Sequence, residues 1–198
     1  MKKQLRKKVR FAAVAIVAAM LFGGCGGSEK DDPPSTTRPT STATATTPAW
    51  QAKYSKAELK AYENALAAWN NYLDASEPIW AAGKQTAGAK KMFQTYFVPW
   101  QVYYAQLGFY EKHGLTRTGR AKVLSSQASR IELSKDSGAV TIRQCLDSAK
   151  SLTVTQNGRL VRPATLEPQY QTVELDRYKS RWLIVKLTES SGESPCAA

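Results

Sequence analysis

At Gly114 the hydrophobic period of this 198-residue chain changes from between three and four to two. Upstream, Ser55 followed three residues later by Glu58 is a capping-box signal, and Leu59, Tyr62, Leu66, Trp69 and Leu73 recur at helical spacing. That helix is expected to end near Ser76, because Pro78 disfavours helical geometry at Glu77, and Ile79 and Trp80 then begin a short second piece. A further helical region spans about 87–113, bent at Pro99 and stopped by Gly114, with Phe93, Tyr96, Phe97, Trp100, Tyr103, Leu107 and Tyr110 on one stripe. Downstream, alternation at 120–123 and 130–133, followed by 139–147, 152–155, 159–161, 170–177 and 181–188, reads as strands. Residues 135–138, 157–158 and 178–180 supply the turns. Helices first and strands after predict an α+β fold with an antiparallel sheet over residues 50–198, a length suited to one domain.

The N-terminus carries an address. Residues 1–10 are basic, and Phe11–Phe22 is an uncharged apolar run of 12 residues ahead of Gly23, Gly24 and Cys25. As a helix that run covers roughly 18 Å, short of the roughly 30 Å hydrocarbon core, so it reads as a signal peptide and not a permanent span. Leu21-Phe22-Gly23-Gly24-Cys25 resembles the lipobox of bacterial lipoproteins, with Phe22 where the pattern usually has Leu. The resemblance implies a signal over 1–24, cleavage before Cys25 and lipid on its thiol, which anchors the chain to the extracytoplasmic face of the cell membrane. With Cys25 acylated, two of the three cysteines, Cys145 and Cys196, remain as an even pair in an oxidising compartment and are expected to form a disulfide.

Residues 25–49 form a tether. Between Gly26 and Pro48 there are seven Thr, three Ser, four Pro and no aliphatic side chain larger than Ala, so the segment has nothing to bury. Its root-mean-square reach is roughly 25 Å. The formal charge of +12 points first to nucleic acid, but six of the basic residues precede position 11. Without residues 1–24 the balance is 22 basic against 16 acidic, with no contiguous basic patch, and nucleic acid is not an expected partner.

Helices ahead of a long antiparallel sheet that ends in the hairpin Val173-Glu174-Leu175 to Arg181-Trp182-Leu183-Ile184-Val185 resemble the NTF2-like (SnoaL-like) cone fold. With the lipobox, the Thr-rich tether, Arg143-Gln144-Cys145-Leu146-Asp147 and Pro195-Cys196, the chain is similar to secreted actinobacterial lipoproteins of that fold. The resemblance implies a sheet wrapped against helices around an apolar pocket. It leaves function open, because such chains include isomerases, dehydratases, carriers and interaction modules.

No catalytic constellation is identifiable in the residues. The single histidine, His113, sits where a helix ends, so no metal set is expected; no triad, GxSxG or Gly-rich phosphate loop occurs, and no cofactor is implied. Asp147, Asp74 and Glu132 are the carboxylates beside apolar segments, and none has a supporting partner in sequence. The aromatic stripe is richer: eight rings lie between Phe93 and Tyr110, five of them Tyr or Trp with a polar tip. Such rings pack cores and also line cavities. The expectation is a pocket for a small apolar ligand near Trp69, Tyr96, Trp100 and Tyr103, held without covalent chemistry. The alternatives are an interaction module for an envelope protein or glycan and, behind both, an isomerase- or dehydratase-type enzyme.

Overall fold

The first long helix begins at its capping box. The Ser55 backbone N–H donates to Glu58 Oε2 at 2.8 Å, and the Glu58 N–H donates back to Ser55 Oγ at 3.3 Å. A computed structural model describes residues 48–161, 167–189 and 196 of the chain. The signal sequence, Cys25 and nearly all of the tether lie outside the described residues, as does Pro195. All described residues belong to one compact unit, Ala45–Ala198.

A single 3-10 turn, Gln51–Lys53, leads into α1, Lys56–Ala82. Contrary to the sequence expectation, α1 does not stop at Ser76 but runs through Pro78. The proline removes one backbone bond, the one its N–H would have made to the carbonyl of Asp74, and both residues lie on the exposed face where water reaches that carbonyl. Continuing the helix buries Trp80 on the stripe of Ala65, Trp69, Tyr72 and Ser76, which offsets the lost bond. The helix closes on Gly83, whose φ of 61° is left-handed.

The second helical region is two helices and not one bent one. Helix α2 is Ala87–Tyr96, capped by the Thr86 hydroxyl, and α3 is Trp100–Lys112. Between them Phe97 is extended and forms a bridge with Ile184, while the Val98 N–H donates to the Ile184 carbonyl at 3.0 Å. The residue before a proline is pushed out of the helical region, and here the released backbone is captured by the sheet. The Val98–Pro99 peptide is cis.

Six strands follow among the described residues: β1 (Leu115–Thr118), β2 (Lys122–Leu133), β3 (Gly138–Asp147), β4 (Leu152–Thr155), β5 (Gln169–Tyr178) and β6 (Arg181–Glu189). They form an antiparallel sheet in the order β2-β3-β5-β6 and a separate β1-β4 pair. The two pieces expected at 120–123 and 130–133 join as one 12-residue strand from Lys122, interrupted by register shifts at Val123/Ser125 and Ala128/Arg130. Such bulges bend a strand and increase its twist. The segment expected as a strand at 159–161 is no full strand but is bridged to β4 at Val154↔Leu160, with the Thr155 N–H donating to the Arg159 carbonyl at 2.9 Å and the Val161 N–H to the Thr153 carbonyl at 3.0 Å beyond the turn at 157–158. Strand β1, which the sequence reading lacks, pairs with β4 instead.

The helices cover one face of the four-stranded sheet. Phe93, Phe97, Leu107, Ile142, Val173, Leu175 and Ile184 are fully buried between the layers. Aromatic edges meet faces inside this core: Tyr72 and Phe97 lie 4.7 Å apart at 88°, and Trp80 and Phe93 5.9 Å apart at 77°. Cys145, in the middle of the sheet on β3, is joined to Cys196 by the expected disulfide, and the Cys196 N–H donates to the Pro168 carbonyl at 3.2 Å. None of the described helices is long and apolar enough to cross a membrane.

Candidate functional site

Trp69, Tyr72, Ser76 and Trp80 recur along α1 and turn one polar-tipped aromatic stripe toward the sheet. They form one wall of a cleft of about 430 Å³. Tyr103 and Gln106 of α3 extend that wall, and Arg117, Val123, Leu146, Gln171 and Leu187 of the strands, with Gly119, Arg120 and Ala121 from the turn between β1 and β2, face it. The volume is within the range of about 300–1,000 Å³ of small-molecule sites.

The wall is fixed from behind by a buried polar contact. Trp69 Nε1 donates to Gln144 Oε1 at 2.8 Å, and Gln144 Nε2 donates to Ser126 Oγ at 3.1 Å. Gln144 is fully buried on β3, so a polar residue at the centre of the sheet ties helix and sheet together. Higher up the stripe, Trp80 Nε1 lies 3.5 Å from the Tyr72 hydroxyl. Burial pushes the Tyr72 phenol above its ordinary value, while the Trp80 bond and the Arg117 charge act the other way. Burial likewise raises Tyr103, against a bond with the Leu187 backbone that lowers it.

The charges of the cleft differ in their circumstances. Arg120 is paired with Asp74 at the rim, and Glu77 and Glu189 are exposed. Arg117 is half-buried, with its guanidinium carbon 4.9 Å from the centre of the Trp80 ring.

Of the four residues expected around a pocket, Trp69 and Tyr103 line this cleft. Tyr96 and Trp100 are not among its lining residues. Tyr96 packs behind the wall against Tyr72, with centroids 5.9 Å apart, and Trp100 sits against Tyr104 at 5.9 Å with Lys90 Nζ 5.4 Å from its ring. For Tyr96 the reason is the break at Val98 and Pro99, which ends α2 and starts α3 afresh so that Tyr96 no longer shares a face with Tyr103; Trp100, on α3 with Tyr103, is turned against Tyr104 and Lys90. Tyr72, Trp80 and Arg117 are the site residues that sequence reasoning missed. The spacing of Trp80 from Trp69 and Tyr72 was a usable signal, hidden by the expectation that Pro78 ends the helix; Arg117 had none.

The three nominated carboxylates have local structural partners. Asp74 holds Arg120, Glu132 holds Arg130, and Asp147 Oδ1 accepts the Ala149 N–H at 3.0 Å in a turn. His113 caps the end of α3, with its ring 4.2 Å from Phe109. Among the described residues no group of three or more His, Cys, Asp or Glu is placed to hold a metal ion. The cleft therefore offers aromatic surface, a few hydrogen-bonding tips and one stacked guanidinium.

No family model matches the chain, and no curated protein matches it. Among solved structures, the intermembrane space region of the chloroplast protein ARC6 is similar at 11% identity and a TM-score of 0.45, covering 66% of this chain and 94% of that one. A de novo designed β-sheet protein is similar at 12% identity and a TM-score of 0.28, covering 65% and 88%. Neither likeness carries information about function.

Proposed function

We propose that the chain is a lipoprotein, anchored through Cys25 at the extracytoplasmic face of the cell membrane, whose NTF2-like cone domain binds a small, largely apolar ligand without turning it over. The observation that carries the binding reading is the cleft between α1, α3 and the sheet, where Trp69, Tyr72, Trp80 and Tyr103 supply apolar rings with polar tips. The helical layer on a bulged antiparallel sheet supports the cone architecture. The lipobox resemblance and the Cys145–Cys196 disulfide support an oxidising, extracytoplasmic setting.

Two experiments test the reading. Titrating the full chain with a lipid extract from its host envelope should shift tryptophan emission saturably, and Trp80→Ala should weaken the shift in a protein that still melts cooperatively. A response that does not saturate for any extract overturns the binding reading. Membrane fractionation of Cys25→Ser tests the anchor: the variant should leave the membrane fraction, and one still processed and pelleting like the parent would refute lipidation.

A further inference from the structure

The ligand's chemistry is narrowed by the one charge in the cleft that is neither paired nor well solvated. Arg117 lies on β1, which the pairing Arg117↔Thr153 holds against β4, and its guanidinium rests on the Trp80 ring in the cleft wall. No carboxylate stands within ion-pair distance of it and no hydrogen bond takes its donors among the described residues. Its nitrogens are also absent from the buried atoms that lack a partner, so its donors are reached by solvent, and Arg117 is one of the residues that line the cleft. The other charges there are otherwise satisfied: Arg120 is held by Asp74, and Glu77 and Glu189 stand in water. A half-buried guanidinium stacked on an indole, with its planar fork of donors free, is built to receive a carboxylate or phosphate in bidentate fashion.

We infer that the cleft takes an amphiphile with a single anionic headgroup, the carboxylate or phosphate on Arg117 and the apolar tail along Trp69, Tyr72 and Tyr103. This rests on the binding reading above and adds the headgroup to it. The head and tail contacts lie on different elements, the head on β1 and the tail on α1 and α3, so the two contributions can be separated by substitution. Stacking on Trp80 orients the fork before any ligand arrives, so little rotamer freedom is lost on binding.

The probes are dodecanoate, dodecyl phosphate, dodecanol and inorganic phosphate, each titrated into the full chain below its aggregation threshold, with tryptophan emission as readout. The parent protein should bind both anionic amphiphiles about 10- to 100-fold more tightly than dodecanol, and inorganic phosphate not measurably. Arg117→Gln should abolish that preference, bringing the dodecanoate and dodecyl phosphate affinities down to that for dodecanol measured on the same variant, and Arg117→Lys should restore part of it. Circular dichroism melts confirm that each variant is folded; if Arg117→Gln is not, the parent's dodecanoate-to-dodecanol ratio and the Lys variant decide. Equal affinity for dodecanoate and dodecanol in the parent overturns the headgroup inference and leaves the apolar cleft standing. Inorganic phosphate binding as tightly as dodecyl phosphate overturns the amphiphile in favour of a free anion. Binding of none of the four overturns this inference and counts against the binding reading as well.

Discussion

Gln144→Leu tests whether the buried polar contact behind the cleft wall is what registers α1 on the sheet. The substitution keeps a side chain of similar size but strands Trp69 Nε1, which is 2% exposed as a residue and donates at 2.8 Å to the oxygen removed. An orphaned buried donor costs about 1–3 kcal/mol, whereas the second bond given up, to Ser126 Oγ, is recovered from water because Ser126 is half-exposed. Trp69→Phe creates the opposite orphan on Gln144 Oε1. The double variant leaves neither group stranded, so its loss of stability should fall short of the sum of the single losses by about 1–3 kcal/mol. Urea unfolding followed by far-ultraviolet circular dichroism is the suitable assay, because Trp69→Phe removes one of the five tryptophans. A loss of about 2 kcal/mol in Gln144→Leu corresponds to a melting point lower by about 4–8 °C for a domain of this size. Strictly additive single losses, within about 0.5 kcal/mol, would refute the coupling and with it the claim that this pair fixes the wall.

Three further outcomes are expected. Cys145→Ser should cost roughly 4 kcal/mol by loop-closure entropy, since the bond joins residues 51 apart in sequence, and denaturant unfolding with and without prior reduction of the parent measures it. Ser55→Ala removes the capping box of α1 and should cost about 1 kcal/mol by the same assay, with Ser55→Asp near neutral. The raised phenols of Tyr62, Tyr72 and Tyr103 bind a proton more tightly folded than unfolded, so their contribution is complete below the ordinary tyrosine value of 10.0 and is lost as pH rises above it. Stability measured across that alkaline range should fall less steeply in Tyr72→Phe, and an unchanged slope would contradict the assignment.

Local signals were legible in the sequence, and long-range ones were not. The Ser55–Glu58 box, the alternation after Gly114 and the turn at 157–158 each depend on neighbours within a few residues, and each appears where its chemistry put it. The two prolines were misread for opposite reasons. Pro78 lies on an exposed face where losing one backbone bond is cheap, and Pro99 lies where the preceding residues had a better partner in β6. That second error carried into the site: a stripe drawn across Pro99 put Tyr96 and Trp100 in a pocket they do not line. The Arg117–Trp80 stack joins residues 37 positions apart through the return of β1 along α1, and nothing local encodes it.

The covalent link has a kinetic consequence. Thiol exchange needs a thiolate to approach one sulfur of the bond, and here Cys145 is fully enclosed while Cys196 is 3% exposed. A reductant therefore waits for Cys196 to part from β3, and the rate of reduction becomes a clock for that opening. Cys196 also follows every described helix and strand, so during synthesis the bond can close only after β6 has been made. The latch closes only on a sheet already synthesised, and once shut it yields no faster than the fold around it breathes.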